Sequence, residues 1–185
     1  KKRCIMGDEP GLGKTAMAIG VLTVTKAFPA LVICPASLKV NWQRELRKFG
    51  GLTGVILSDE NKQTWQRFWE MKKADGRACA EVFIVNYESL KKFFVERIRR
   101  DGRFTLKSVD FDERVKLFRT VIIDESHKCK NSGTQQSKFV QGIAMGKEYV
   151  LELTGTPVVN NNIDLIQQLN IMGRLNDFGG YSKFM

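Results

Sequence analysis

Near the start of the chain, Asp8-Glu9-Pro10-Gly11-Leu12-Gly13-Lys14-Thr15 sets two glycines beside an ammonium and a hydroxyl. Glycine tolerates the backbone turns that aim successive N–H groups inward, so such a loop can close around phosphate oxygens. Lys14 would then reach the β- and γ-phosphates of a nucleotide, and the Thr15 hydroxyl would ligate Mg²⁺. The general pattern G-x-x-x-x-G-K-[ST] is met except at its first position, which is Asp8. A glycine-rich turn with a coincidental Gly-Lys-Thr would explain this stretch alone. It does not explain Val121-Ile122-Ile123-Asp124-Glu125-Ser126-His127, where an apolar run ends on two adjacent carboxylates. Side chains alternate along a strand, so the two carboxylates are expected to do different work. Asp124 is expected to hold Mg²⁺ directly or through water. Glu125 is expected to polarise the water that attacks the γ-phosphate.

Both clusters need strand ends to present them. Short, β-branched apolar runs at 4–6, 30–34, 54–57, 82–85, 120–123 and 149–153 read as strands buried on both faces. Helices are expected between them, at 14–25, 37–49, 62–73, 88–99, 135–145 and 163–171. Leu38, Trp42, Leu46 and Phe49 recur at helical spacing, and Trp42 reads as a core residue of its helix. Strands alternating with helices predict an α/β fold with a doubly wound, mostly parallel sheet, in one domain over 1–185. The stretch 97–119 mixes Arg99, Arg103, Lys107, Arg114 and Lys116 with Asp101, Asp110, Asp112 and Glu113 and has no clear period. It reads as an exposed insertion or short hairpin, more a solvated surface than a nucleic-acid contact.

Composition narrows the partners. Of 185 residues, 43% are hydrophobic and 27% charged, which excludes a disordered chain, a collagen and a coiled coil. The apolar runs fall far short of the roughly 20 residues of a membrane span, and no signal peptide is visible. A net charge of +10 favours an anionic partner, nucleic acid first. Cys4, Cys34, Cys79 and Cys129 form no CxxC pair and His127 is the only histidine, so free thiols are expected and a zinc site is not. The chain starts at Lys1 without an initiator Met and is expected to be a fragment of something longer.

Taken together, the motifs resemble the first RecA-like lobe of helicase superfamily two, and within it the Swi/Snf-type DNA-translocating ATPases. Asp8 to Thr15 is similar to that family's DExGLGKT motif, with Pro10 where Met is usual, and the family's own Asp explains Asp8. Cys34-Pro35-Ala36-Ser37-Leu38-Lys39-Val40-Asn41-Trp42 resembles motif Ia, and Val85-Asn86-Tyr87-Glu88 resembles motif Ib. Asp124-Glu125-Ser126-His127 looks like motif II in a DESH form. Leu153-Thr154-Gly155-Thr156-Pro157, with Asn161-Asn162 downstream, looks like motif III. DEAD-box RNA helicases fit less well, because the box is DESH and motif Ia lacks their Arg-Glu pattern.

The resemblance implies ATP-driven translocation on double-stranded DNA. It makes Asp8, Glu9, Pro10, Gly11, Leu12, Gly13, Lys14 and Thr15 the ATP-binding loop, with Lys14, Asp124 and Glu125 catalytic and Thr15 and Asp124 on Mg²⁺. Thr154 and Thr156 would couple nucleotide state to DNA, and His127 would bridge motif II to motif III. Ser37, Lys39 and Tyr87 would touch the DNA backbone. The family's second RecA-like lobe supplies an arginine finger, so the 185 residues alone are expected to bind nucleotide better than they hydrolyse it. The resemblance also implies a monomeric lobe with no membrane partner, in a bacterial cytoplasm or a eukaryotic nucleus. Two other readings compete, a nucleotide-independent DNA-binding scaffold with a degenerate site and an RNA helicase lobe.

Overall fold

Six of the apolar runs pair side by side, and every pairing is parallel. The computed structural model describes residues 2–9, 11–99, 102, 104–129, 131–155 and 164–183. In chain order the elements are β1 (Lys2–Met6), α1 (Lys14–Thr25), β2 (Ala30–Cys34), α2 (Lys39–Gly50), β3 (Gly54–Ile56), α3 (Arg67–Glu70), β4 (Val82–Asn86) and α4 (Leu90–Phe94). They continue with β5 (Val95–Ile98), β6 (Val109–Phe111), β7 (Thr120–Asp124), α5 (Gln135–Ala144), β8 (Tyr149–Leu153) and α6 (Asp164–Ile171). The large sheet has the order β1-β8-β7-β2-β4-β3. The chain thus leaves β1, builds outward from β2, and returns to insert β7 and β8 between them. Three strand ends that carry motifs, those of β1, β8 and β7, become neighbours by this return. Strands sit about 5 Å apart, so the ends of β1 and β7 face each other across about 10 Å.

Both faces of the sheet are covered, which is why β2, β4 and β7 are buried at every position. Val32, Cys34, Ile84, Ile122 and Leu151 meet Ala18, Ile19 and Leu22 of α1 and Trp42 and Leu46 of α2 on one face. Leu31, Ile33, Phe83, Val121, Ile123 and Val150 meet Phe93, Phe94, Phe139 and Ile143 on the other, with Trp65 stacked on Phe118. Each such fully buried aliphatic or aromatic side chain is worth about 1.5–3 kcal/mol relative to exposure. This is the doubly wound α/β architecture expected from the alternation of runs.

Two expected helices are shorter or differently placed. The run 62–73 makes turns and then a single helical turn, α3. Trp65 must enter the aromatic cluster of Phe83, Phe94 and Phe118, and Met71 is already extended, so no long helix fits. The run 88–99 stops being helical at Phe94, because Val95 to Ile98 pairs antiparallel with Val109 to Phe111. The stretch 97–119 therefore contains a hairpin, as one of its two readings had it, but its apolar face is not solvated. Val109 and Val115 are buried, and Phe111 packs against the core. Glycine inside a helix is costly, yet a Cβ on Gly142 of α5 would run into the Phe111 ring. The mixed charges of the stretch neutralise one another: Arg99 pairs with Asp110 at 2.9 Å and Arg114 holds Asp112. Arg103 and Asp101 lie outside the described residues. On α2, Trp42 and Leu46 are buried as expected, whereas Phe49 is half exposed.

Candidate functional site

The loop after β1 turns through Gly11 and Gly13, whose φ angles of 86° and 78° lie in the left-handed region. No neighbouring atom comes within 4 Å of a Cβ built at either glycine, so open space remains in front of the loop backbone. Helix α1 starts directly behind it with Gly13 as N-cap, no side-chain cap and no acidic residue in the first turn. Its first N–H groups and the positive end of its dipole therefore face the loop unscreened by a carboxylate. The Lys14 ammonium donates to the carbonyls of Asp8 at 2.6 Å and Glu9 at 2.9 Å, which ties the loop into a ring around a positive charge. The carboxylates of Asp8 and Glu9 and the side chain of Leu12 point into solvent, and Thr15 is partly buried. Pro10 lies outside the described residues.

Asp124 ends β7 with 8% of its surface exposed. Both carboxylate oxygens are held: Oδ2 accepts from the indole N–H of Trp42 at 2.7 Å, and Oδ1 from the Glu125 backbone N–H at 3.0 Å. Burial raises the Asp124 carboxyl above the ordinary carboxylate range, and the Glu125 charge adds to the rise, while the Trp42 N–H and Lys14 pull it back down. Glu125 has left the strand. Its φ of 54° is left-handed, an uncommon position for a residue with a Cβ and one that clusters at functional sites. Strand alternation was expected to separate the two carboxylates; the sharp turn at Glu125 does so instead. The Glu125 carboxylate lies 3.2 Å from His127 Nδ1, and the same nitrogen lies 3.4 Å from the Thr154 hydroxyl. His127 thus spans the ends of β7 and β8. Thr156, Pro157, Asn161 and Asn162 lie outside the described residues.

Gly11, Gly13, Lys14 and Thr15 line a cleft of about 320 Å³ together with Asp124 and Glu125. A roomier cleft of about 500 Å³ between Arg3 and Arg174 brings no comparable set together. Among the described residues no three His, Cys, Asp or Glu side chains converge as a metal cage. The hard oxygens of Asp124 and Thr15 still suit Mg²⁺, which commonly takes one or two protein oxygens and completes its shell with phosphate and water. A polyphosphate and its Mg²⁺ fit this donor set.

A second cluster lies at the ends of β2 and β4. Ser37 is exposed on a 3-10 turn, Ala36–Leu38. Lys39 opens α2 and donates to Asn86 Oδ1 at 3.3 Å. Asn86 accepts there from Ser89 as well, and its amide donates to Glu88 at 2.7 Å. That amide bond holds the Glu88 carboxyl below its usual range, with Lys128 and Lys39 adding to the effect. Tyr87 does not belong to this surface, contrary to the expected DNA contact. It is only 2% exposed, and its hydroxyl donates to the Asp124 carbonyl at 2.6 Å. Its ring is buried in the core, so its polar end reaches inward to the end of β7, on the far side of β2. Sequence reasoning placed Trp42 in the core and missed its bond to Asp124; helical spacing reports burial but not what a buried N–H meets. Asn86 and Glu152, a buried carboxyl in β8, were also missed.

The model of the SNF2-related domain matches residues 1–185. Chromodomain-helicase-DNA-binding protein 1-like of Danio rerio is 31% identical over 85% of this chain and 14% of its own length. Chromodomain-helicase-DNA-binding protein 6 of Mus musculus is 32% identical over 93% of this chain and 6% of its own length. Among solved structures, the Sulfolobus solfataricus SWI2/SNF2 ATPase core in complex with dsDNA matches with a TM-score of 0.65 and 30% identity, over 97% of this chain and 33% of that one. The chain thus spans a small part of the relatives it matches.

Proposed function

The chain belongs to the SNF2-related domain family, as a first RecA-like lobe of the Swi/Snf type, and from that premise we propose that it is the ATP-binding lobe of an ATP-dependent double-stranded-DNA translocase. The observation that carries this reading is the meeting of the Lys14 loop with Asp124 and Glu125 in one cleft at the carboxyl ends of β1 and β7. Mg²⁺, when bound, supplies the charge that neutralises the β- and γ-phosphate oxygens. The chain's own residues do the rest. The loop N–H groups and Lys14 bind the phosphates, Thr15 and Asp124 offer oxygens to the cation, and Glu125 orients and polarises a water. His127, between Glu125 and Thr154, ties that carboxylate to the strand end whose following residues would sense DNA. A second RecA-like lobe of the same longer chain would close the cleft, in whichever compartment holds the DNA.

Titrating Mg-ATP into the 185-residue chain should raise its melting temperature, since a ligand that binds only the native state stabilises it. Lys14→Ala should abolish most of that shift by removing a charge-assisted phosphate contact. A variant that keeps the wild-type affinity would overturn the assignment of the loop.

The DNA path in this proposal runs over Ser37 and Lys39 and is read through phosphates. One lobe offers half a groove, so affinity should fall in the non-specific range, roughly 10⁻⁴–10⁻⁶ M at physiological salt. Lys39→Ala should weaken unrelated duplexes alike and flatten the log–log salt slope by about one unit. Salt-titrated anisotropy with two unrelated duplexes tests this, and a strong sequence preference or an unchanged slope would exclude Lys39 from the path.

A further inference from the structure

We propose that Trp42 is a positioning residue for Asp124: its indole N–H fixes the carboxylate in the orientation that offers an oxygen to a divalent cation. The inference rests on the nucleotide reading of the cleft. Trp42 is 1% exposed and packs among Leu46, Val32, Ile84 and Ile122. An apolar ring would fill the same space without carrying a polar group into the core. The indole N–H avoids the cost of burial only because Asp124 Oδ2 lies 2.7 Å away. With the Glu125 N–H on Oδ1 at 3.0 Å, each carboxylate oxygen has one donor, so the carboxylate plane is fixed from both sides. The Tyr87 hydroxyl, 2.6 Å from the Asp124 carbonyl, anchors the main chain of the same residue. An indole N–H only donates, so it does not compete for a cation, and each oxygen keeps a lone pair free. A lysine or arginine in its place would bring a charge that opposes the cation.

Partners that orient a metal ligand are typically worth 10–100-fold in metal affinity. Binding of a fluorescent ADP analogue to the 185-residue chain, titrated with Mg²⁺ and repeated in EDTA, separates the cation's contribution from that of the loop. Trp42→Phe should raise the half-saturating Mg²⁺ about 10–100-fold and leave binding in EDTA unchanged. Leu46→Val, in the same helix and the same apolar cluster, should leave both unchanged. If Trp42→Phe does not fold, benzothienylalanine at position 42 keeps the shape of the indole, replaces its N–H with sulfur, and should give the same rise. An unchanged Mg²⁺ requirement without the N–H, or an equal rise in Leu46→Val, overturns the proposal. A wild-type chain that binds no nucleotide at any Mg²⁺ concentration overturns the reading of the cleft and the inference with it.

Discussion

Saturated with Mg-ATP, the 185 residues alone should hydrolyse it about 10³–10⁵-fold more slowly than the same lobe joined to a second one, because that is what an arginine finger contributes. The expectation has a structural basis in the cleft itself. Lys14 is the one cationic side chain among the described residues that line it, and no arginine does. Charge spreads over the γ-phosphoryl oxygens in the transition state, and in the proposed role Lys14 with Mg²⁺ would answer only part of it. Glu125 is meanwhile engaged with His127 at 3.2 Å. Nucleotide binding and turnover should therefore separate: a clear thermal shift with Mg-ATP, and negligible phosphate release with or without duplex DNA. Phosphate release is measured by single-turnover assay on the wild-type chain and on Glu125→Gln. Robust turnover that Glu125→Gln abolishes would show the site to be complete within this lobe.

The motif residues that line the cleft were legible in the sequence because they stand in two contiguous clusters. Gly11, Gly13 and Lys14 act through one turn of backbone, and Asp124 and Glu125 sit where an apolar run stops, so each cluster announced its own strand end. Strands β2, β4 and β7 were legible for a related reason: burial at every position leaves an apolar, largely β-branched run with polar residues only at its ends. What could not be read depends on contacts between distant segments. Helices α3 and α4 are short because Trp65 and Val95 are claimed by the aromatic cluster and by β6, and neither claim leaves a mark on local periodicity. The hairpin in 97–119 looked solvated because its charges are dense. They pair with one another, which frees Val109 and Phe111 to pack inward. Tyr87 was assigned to DNA by position within a motif, and its inward hydroxyl shows that a motif residue can instead brace the main chain at Asp124. Trp42 is the same lesson from motif Ia.

Glu152→Gln should remove a loss of stability that the wild-type chain suffers as pH rises above the ordinary glutamate range. Glu152 lies in β8 between Ile5 of β1 and Ile123 of β7, with none of its surface exposed. Among the described residues, no hydrogen bond of good geometry reaches either carboxylate oxygen, and the buried Ser126 hydroxyl lies beside them. Burial pushes the Glu152 pKa well above the usual glutamate range, and Ser126 opposes this only in part. The native chain therefore holds a proton here that the unfolded chain releases above about pH 4.3. With more protons bound in the native state, stability contributed by this group is full below that value. It falls as pH rises, until the native carboxyl itself ionises. A glutamine has no proton to lose, so its stability curve lacks this slope. Urea unfolding at a series of pH values from about 5 upward should show the variant gaining on wild type as pH rises, whatever the constant offset from burying an amide. Parallel curves for the two chains would mean that Glu152 is ionised in the native protein, with a donor or cation beside it that offsets the burial.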